Sequence, residues 1–91
     1  GRPTNPARKD MFRRFADLEG VTLRAIYNAN NGEALRVLPM SPHGNCRMCV
    51  SYHVRGTCMA TCGRAVDHNA HTDEQDAPLL EWCERYYVRP E

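Results

Sequence analysis

The sequence lacks any run of about 20 apolar residues, the length that a membrane-spanning helix requires. Its start, Gly1 to Pro6, lacks the apolar segment of a signal peptide, and no internal repeat or low-complexity segment follows it. We therefore expect an intracellular protein, of the cytoplasm or nucleus, that makes no contact with a membrane.

The chain is also short, with 91 residues, which indicates one small folded unit. Domains below about 70 to 80 residues rarely bury enough apolar surface to fold by burial alone, so most add disulfides, a metal ion or a partner. The five cysteines are the first candidates for such support.

The cysteines do not form the even set that a disulfide framework requires. Four of the five lie between Cys46 and Cys62, and all four histidines lie in or beside that stretch. Zinc sites of intracellular proteins combine thiolate and imidazole ligands, whereas a disulfide framework has no use for histidine. The mixture therefore predicts one structural Zn²⁺ ion.

Lysine is nearly absent, since eleven of the twelve basic residues are arginine, whose forked guanidinium suits phosphate contacts. The net charge of +1 is unevenly distributed: residues 1–42 carry +3, residues 43–71 carry +2 and residues 72–91 carry −4. The basic blocks favour nucleic-acid binding, and the acidic block favours contact with a protein.

Local patterns predict helices before the cysteine segment. Asn5 and Pro6 indicate an N-cap and first residue for a helix over residues 6–19. Its apolar face comprises Met11, Phe12, Phe15 and Leu18. Thr22 could cap a second short helix, which the turn-forming residues 28–32 end. Residues 33–38 fit a helical turn or a short strand equally well.

After the cysteine segment, Thr72 to Gln75 resembles a capping box, and Asp76-Ala77-Pro78 offers a second helix start with proline in the first turn. A helix from either start to about Tyr87 carries Leu79, Trp82 and Cys83 toward one side. We therefore predict a small, mostly α, metal-stabilised fold. It comprises a disordered lead (residues 1–5), helical segments and a linker (6–42), a loop-rich single zinc finger (43–71) and a C-terminal helix packed on it (72–91).

The cysteine segment reads Cys46-x2-Cys49-x8-Cys58-x3-Cys62-x5-His68. A tetrahedral zinc site takes four ligands, so one of these five residues is spare. The favoured set is Cys49, Cys58, Cys62 and His68, with Cys46 a free thiol. The alternative set uses Cys46 in place of His68, because Cys-x2-Cys is a frequent zinc spacing.

Two glycines favour a tight metal loop, because Gly56 lies two residues before Cys58 and Gly63 follows Cys62. The segment from Cys49 to Cys58 resembles the first half of CCCH zinc fingers, with an aromatic residue inside C-x8-C and glycine before the second cysteine. The second half departs from that family, which has five residues and then three where this chain has three and then five.

The fuller string also includes Tyr52, His53 and Arg64, with Trp82 and Cys83 in the helix that follows. In this form it looks like a finger of retrotransposon Gag-like proteins. That resemblance implies nucleic-acid binding without catalysis.

Three thiolates and a neutral imidazole leave bound zinc with a net charge of about −1, so attraction for phosphate must come from arginines around the site. The sequence thus favours a zinc-dependent, non-catalytic module that binds RNA or single-stranded DNA. The candidate contacts are Arg47, Tyr52, His53, Arg55 and Arg64 in the finger and Arg13 and Arg14 in the first helix.

The alternative is a protein-interaction adaptor, in which zinc organises a scaffold and the acidic C-terminal helix with Trp82, Tyr86 and Tyr87 contacts a partner protein. Catalysis is not expected. Asp67 and His68 form the only close acid–base pair, and catalytic zinc normally keeps an open coordination position.

Overall fold

The computed structural model describes residues 2–16 and 20–88. Three α-helices, α1 (Asp10–Ala16), α2 (Leu23–Arg36) and α3 (Asp73–Tyr86), surround a loop with a π-helical turn at Ser51–Arg55 and a 3₁₀ turn at Ala65–Asp67. Within the described residues, β pairing is limited to two isolated bridges. The predicted small, mostly helical fold is confirmed. None of the described helices has the length and apolar character to cross a membrane.

The first helix begins later than predicted, at Asp10 instead of Pro6. The residues before it lie beside the cysteine loop: the Cys58 amide donates to the Pro3 carbonyl at 3.0 Å, and the Asn5 amide donates to the Gly56 carbonyl at 2.9 Å. The Asn5 side chain accepts a hydrogen bond from the nearby Ala7 amide, which closes a local turn. The disordered lead expected over residues 1–5 stays a prediction, within which Pro3 and Asn5 have these backbone contacts. The predicted core position Leu18 lies outside the described residues.

The second helix is capped as predicted, because the Thr22 hydroxyl accepts a hydrogen bond from the Ala25 amide at 3.1 Å. The helix is interrupted between Ala29 and Gly32, where Asn30 and Asn31 have φ values of 52° and 59° and Gly32 has 79°. Asparagine and glycine are the residues that adopt this left-handed conformation most readily. The helix then resumes at residues 33–36, so these residues form the helical turn and not the short strand that the sequence also allowed.

The third helix begins with the predicted capping box: the Thr72 hydroxyl accepts from the Gln75 amide at 3.1 Å, and the Gln75 side chain accepts from the Thr72 amide at 2.8 Å. The second possible start, at Asp76, is not used, so Pro78 lies inside the helix instead of in its first turn. The helix ends at Tyr86, close to the predicted end at about Tyr87, and Pro90 beyond it lies outside the described residues.

The apolar core joins the three helices to the cysteine loop. Its most deeply buried apolar side chains are those of Phe12, Ile26, Leu38, Val50, Val54, Leu79, Cys83 and Tyr87. The Trp82 indole N–H donates to the Ala34 carbonyl at 2.8 Å, which ties α3 to α2. α1 packs against the π-helical turn and against α3. The aromatic side of α3 is thus occupied by the core.

Candidate metal centre

Four side chains from different parts of the loop converge on one point. Cys49 precedes the π-helical turn, Cys58 and Cys62 follow it, and His68 comes directly after the 3₁₀ turn. Their ligand atoms lie within 4.8 Å of one another. The Cys49 Sγ atom is 3.6 Å from Cys58 Sγ, 3.8 Å from Cys62 Sγ and 3.3 Å from His68 Nε2.

These distances match the edges of a metal tetrahedron. Zinc–sulfur bonds of about 2.3 Å and zinc–nitrogen bonds of about 2.0 Å place neighbouring ligand atoms about 3.5 to 3.8 Å apart. A disulfide would instead bring two sulfur atoms to about 2.05 Å, and all five cysteines are free thiols. The four residues of the favoured set could therefore hold one metal ion.

Burial shifts the pKa values of the thiols and of the imidazole in this cluster in opposite directions. Burial raises the pKa of Cys49 and of Cys58, because thiolates are poorly solvated there. Burial lowers the pKa of His68, which favours the neutral imidazole that a metal ion requires. A bound cation would compensate for the unfavourable thiolates, since coordinated thiols are deprotonated.

Local geometry also orients the candidate ligands. The Tyr52 ring stacks on the His68 ring with centroids 4.5 Å apart and an interplanar angle of 12°. Gly56 has a φ of 84°, and the Arg8 side chain lies 3.3 Å from where a Cβ atom would be, so glycine is required there. Gly63 was also predicted to be needed for a tight loop. Its φ is not positive and open space surrounds it, so the structure shows no such requirement for glycine there.

The other two cysteines lie apart from the cluster. Cys46 does not belong to the group of converging ligand atoms, so the alternative set with Cys46 in place of His68 does not fit this geometry. Cys83 is fully buried in the core, and burial raises its pKa to about 12. It therefore remains a neutral thiol in the folded protein.

A second group of converging side chains, His53, Asp67 and His71, was not predicted from the sequence. All three residues are buried. The two imidazole rings stack, with centroids 3.9 Å apart and an angle of 24° between them. A metal ion must lie near the plane of each ring that binds it, which two stacked rings do not allow for a shared ion. We therefore interpret this group as a hydrogen-bonded network.

Asp67 is the centre of that network and accepts four hydrogen bonds. The Ser41 hydroxyl and His71 Nε2 donate to Oδ1, and the Cys49 amide donates to Oδ2. His53 Nε2 lies 2.8 Å from the Asp67 backbone carbonyl and 3.1 Å from Oδ2. Burial alone would raise the pKa of Asp67, but the hydrogen bonds from His53, Ser41, Cys49 and His71 outweigh burial and lower the pKa below its usual range. The carboxylate is thus charged, and it holds the amide of a candidate metal ligand.

The network continues to α3 and the N-terminal segment. His71 Nδ1 lies 2.8 Å from Asp76 Oδ1, and Lys9 Nζ lies 2.6 Å from Asp76 Oδ2. His71 therefore lies between two carboxyl groups, with each of its ring nitrogens 2.8 Å from one of them. Lys9 and the ring of His71 thus give the buried Asp67 and Asp76 polar partners, which makes their burial tolerable.

The predicted arginine contacts of the finger bond mainly to the chain itself. Arg47 donates to the Leu38 carbonyl at 2.6 Å, and Arg55 donates to the Val21 carbonyl at 2.9 Å. Arg64 donates to the Met48 carbonyl at 3.3 Å, and its guanidinium lies 5.6 Å from the centroid of the Tyr27 ring. These three arginines therefore hold the finger against the helical part of the chain.

The remaining predicted contacts divide into buried and exposed residues. His53, a candidate nucleic-acid contact, is only 4% exposed and is bonded to Asp67, so in this structure its ring faces the interior of the protein. Arg13 and Arg14 have side chains 59% and 63% exposed, and they form ion pairs with Asp10 and Glu84. Of the predicted arginines, these two are the most accessible to a phosphate.

Comparisons with protein-family models, curated proteins and solved structures found no match to this chain. The fold and the cluster define its class by themselves: a small, mostly helical protein with a candidate metal centre of three cysteines and one histidine.

Proposed function

We propose that the chain is a zinc-dependent, non-catalytic module that binds RNA or single-stranded DNA. The observation that supports it most strongly is the convergence of Cys49, Cys58, Cys62 and His68 at tetrahedral spacing. Three thiolates and one imidazole form a donor set that zinc prefers over harder cations such as magnesium and calcium. These four ligands complete a tetrahedron and leave no position for a substrate, which favours a structural role.

Nucleic acid is the proposed partner because the chain is rich in arginine and exposes some of it. Arg13 and Arg14 lie on the outer face of α1, where their ion pairs with surface acids are weak enough to exchange for phosphate contacts. The resemblance to Gag-like fingers favours the same partner. The finger arginines contribute to this function by holding the finger in place; they are Arg47, Arg55 and Arg64.

Salt dependence tests this proposal. Zinc-loaded protein is titrated into a fluorescently labelled decamer of uridine between about 50 and 200 mM salt, and the affinity should fall steeply as counterions compete. A chelator should abolish binding because it removes the ion that organises the finger. An affinity that is independent of salt, or retained by demetallated protein, would show that the proposal is wrong.

The second candidate, a protein-interaction adaptor, is favoured by the acidic outer face of α3. Asp73 and Glu84 have side chains 93% and 56% exposed. Trp82 and Tyr87, which the sequence suggested as contacts, are buried, so a partner would meet the acidic side chains instead. In a pull-down, replacing these acids by amides would release a basic partner protein, whereas Arg13→Gln and Arg14→Gln would not.

A further inference from the structure

A groove of about 470 Å³ lies between α2 and the cysteine loop, directly over the candidate metal centre. Its walls include three of the four candidate ligands, Cys49, Cys58 and Cys62. Sites of about 300 to 1,000 Å³ commonly hold small molecules or single building blocks of a polymer. The groove is therefore large enough for one nucleotide.

The charge of the groove favours an anionic occupant. Two arginines, Arg24 and Arg64, line it, and none of its lining residues is Asp or Glu. A zinc ion held by three thiolates would add a charge of about −1, which leaves the groove with a net charge of about +1. Arg64 is engaged with Tyr27 and the Met48 carbonyl. Arg24 is exposed, and it has no hydrogen-bond or ion-pair partner among residues 2–16 and 20–88. Its guanidinium can therefore bind a phosphate without breaking a contact within the described part of the chain.

The groove also has an apolar wall that is open to solvent. Met59 is 63% exposed, which is high for a large apolar side chain, and the half-buried Leu23 lies in the same groove. Asn28 and Ser51 supply hydrogen-bonding groups at its surface. An apolar wall beside polar groups suits a nucleobase, whose faces are apolar and whose edges carry donors and acceptors.

We propose that this groove binds one unpaired nucleotide, with its base against Leu23 and Met59 and its phosphate at Arg24. The inference rests on the proposed function and gives it a location that the finger residues alone do not indicate. The bases of a duplex are stacked and cannot enter the groove, so single strands should bind more tightly than duplexes of equal length.

Two variants with matched controls test the groove by fluorescence anisotropy, using the zinc-loaded full chain and a labelled uridine decamer. Arg24→Gln should weaken binding at least about fivefold and reduce the slope of log affinity against log salt by about 0.7, as expected for one lost phosphate contact on a single strand. Arg85→Gln removes the same charge from an exposed position on α3 outside the groove, and should change the affinity less than twofold.

For the apolar wall, Met59→Ser should also weaken binding at least about fivefold, because the base loses its apolar surface. The matched control is Met40→Ser, at a methionine that is 53% exposed and lies outside the groove. Both groove residues are exposed, so the variants should keep the zinc content and circular dichroism of the parent chain.

The outcomes separate the groove from the wider function. If the parent chain binds in a salt-dependent way and the Arg24→Gln and Met59→Ser variants bind equally well, the groove proposal alone is overturned. A parent chain that binds no oligonucleotide would overturn both proposals. A decamer of glutamate that competes as well as unlabelled uridine decamer would identify an acidic-peptide site and overturn the nucleotide assignment.

Discussion

Replacing Asp67 by asparagine should destabilise the metal-bound fold more than any other single change of an acid to its amide. The Asp67 carboxylate is fully buried, accepts hydrogen bonds from Ser41, Cys49 and His71, and lies 3.1 Å from His53 Nε2. Asparagine keeps the shape but has only one acceptor oxygen, and its NH₂ group would face donors. His71 would also lose one of the two carboxyl groups that its ring nitrogens contact.

The expected loss of stability is about 3 to 5 kcal/mol, the usual cost of removing one partner from a buried ion pair. Small domains have total stabilities of only about 5 to 15 kcal/mol, so this loss is a large share of the stability of the metal-bound fold. If folding and metal binding occur together, the same loss appears as an apparent zinc affinity between about 100-fold and about 4,000-fold weaker.

Competition with a chelator of known zinc affinity measures this change, and thermal melting of the loaded protein measures it independently. The control is Asp73→Asn, the same chemical change at an exposed carboxylate that pairs with Lys9. It should alter neither measurement appreciably. If Asp67→Asn behaves like Asp73→Asn, the buried network does not support the metal loop and this reasoning is refuted.

Three further predictions concern the thiols and a helix cap. Alkylation of the zinc-loaded chain should modify Cys46 and leave Cys83 unmodified, whereas a chelator, which unfolds the chain, should expose the other four thiols, as counted by mass spectrometry. Cys83 labelled in the loaded fold would contradict its burial. Above about pH 9, the free energy of unfolding should fall by about 1.4 kcal/mol per pH unit through Cys83 alone. Folding raises the pKa of Cys83 from 9.0 to about 12, so in this range only the thiol of the unfolded chain ionises. Cys83→Ala should remove the contribution of Cys83 to this pH dependence, and an unchanged pH dependence would contradict the prediction. Thr72→Ala should lower the free energy of unfolding by about 1 kcal/mol through loss of the capping box, measured by denaturant titration, whereas no loss would mean that the cap is dispensable.

Features that depend on neighbouring residues in the chain could be predicted from the sequence. Thr22, Thr72 and the turn at residues 28–32 form the structures that their local patterns indicate, because caps and left-handed turns depend on a few adjacent residues. The grouping of Cys49, Cys58, Cys62 and His68 was predictable for a similar reason, since zinc imposes ligand types and spacings.

Features that depend on contacts between distant residues could not be predicted in this way. The start of α1 is displaced to Asp10 by backbone hydrogen bonds to residues 56–58, about 50 positions away. The burial of Asp67 and Asp76 could not be predicted from the sequence, because nothing in the residue type distinguishes a buried aspartate from one at the surface. The partners of the finger arginines could not be predicted either, since the carbonyls of Leu38 and Val21 are brought to them by tertiary structure.

The central claim is that one zinc ion, held by Cys49, Cys58, Cys62 and His68, stabilises the fold. Native mass spectrometry with and without a chelator, combined with circular dichroism of the same samples, tests it most directly. The account predicts one zinc per chain that is lost together with the helical spectrum on chelation, kept by Cys46→Ser and lost by His68→Ala. A demetallated chain that keeps its folded spectrum, or a Cys46→Ser variant that loses the metal, would contradict it.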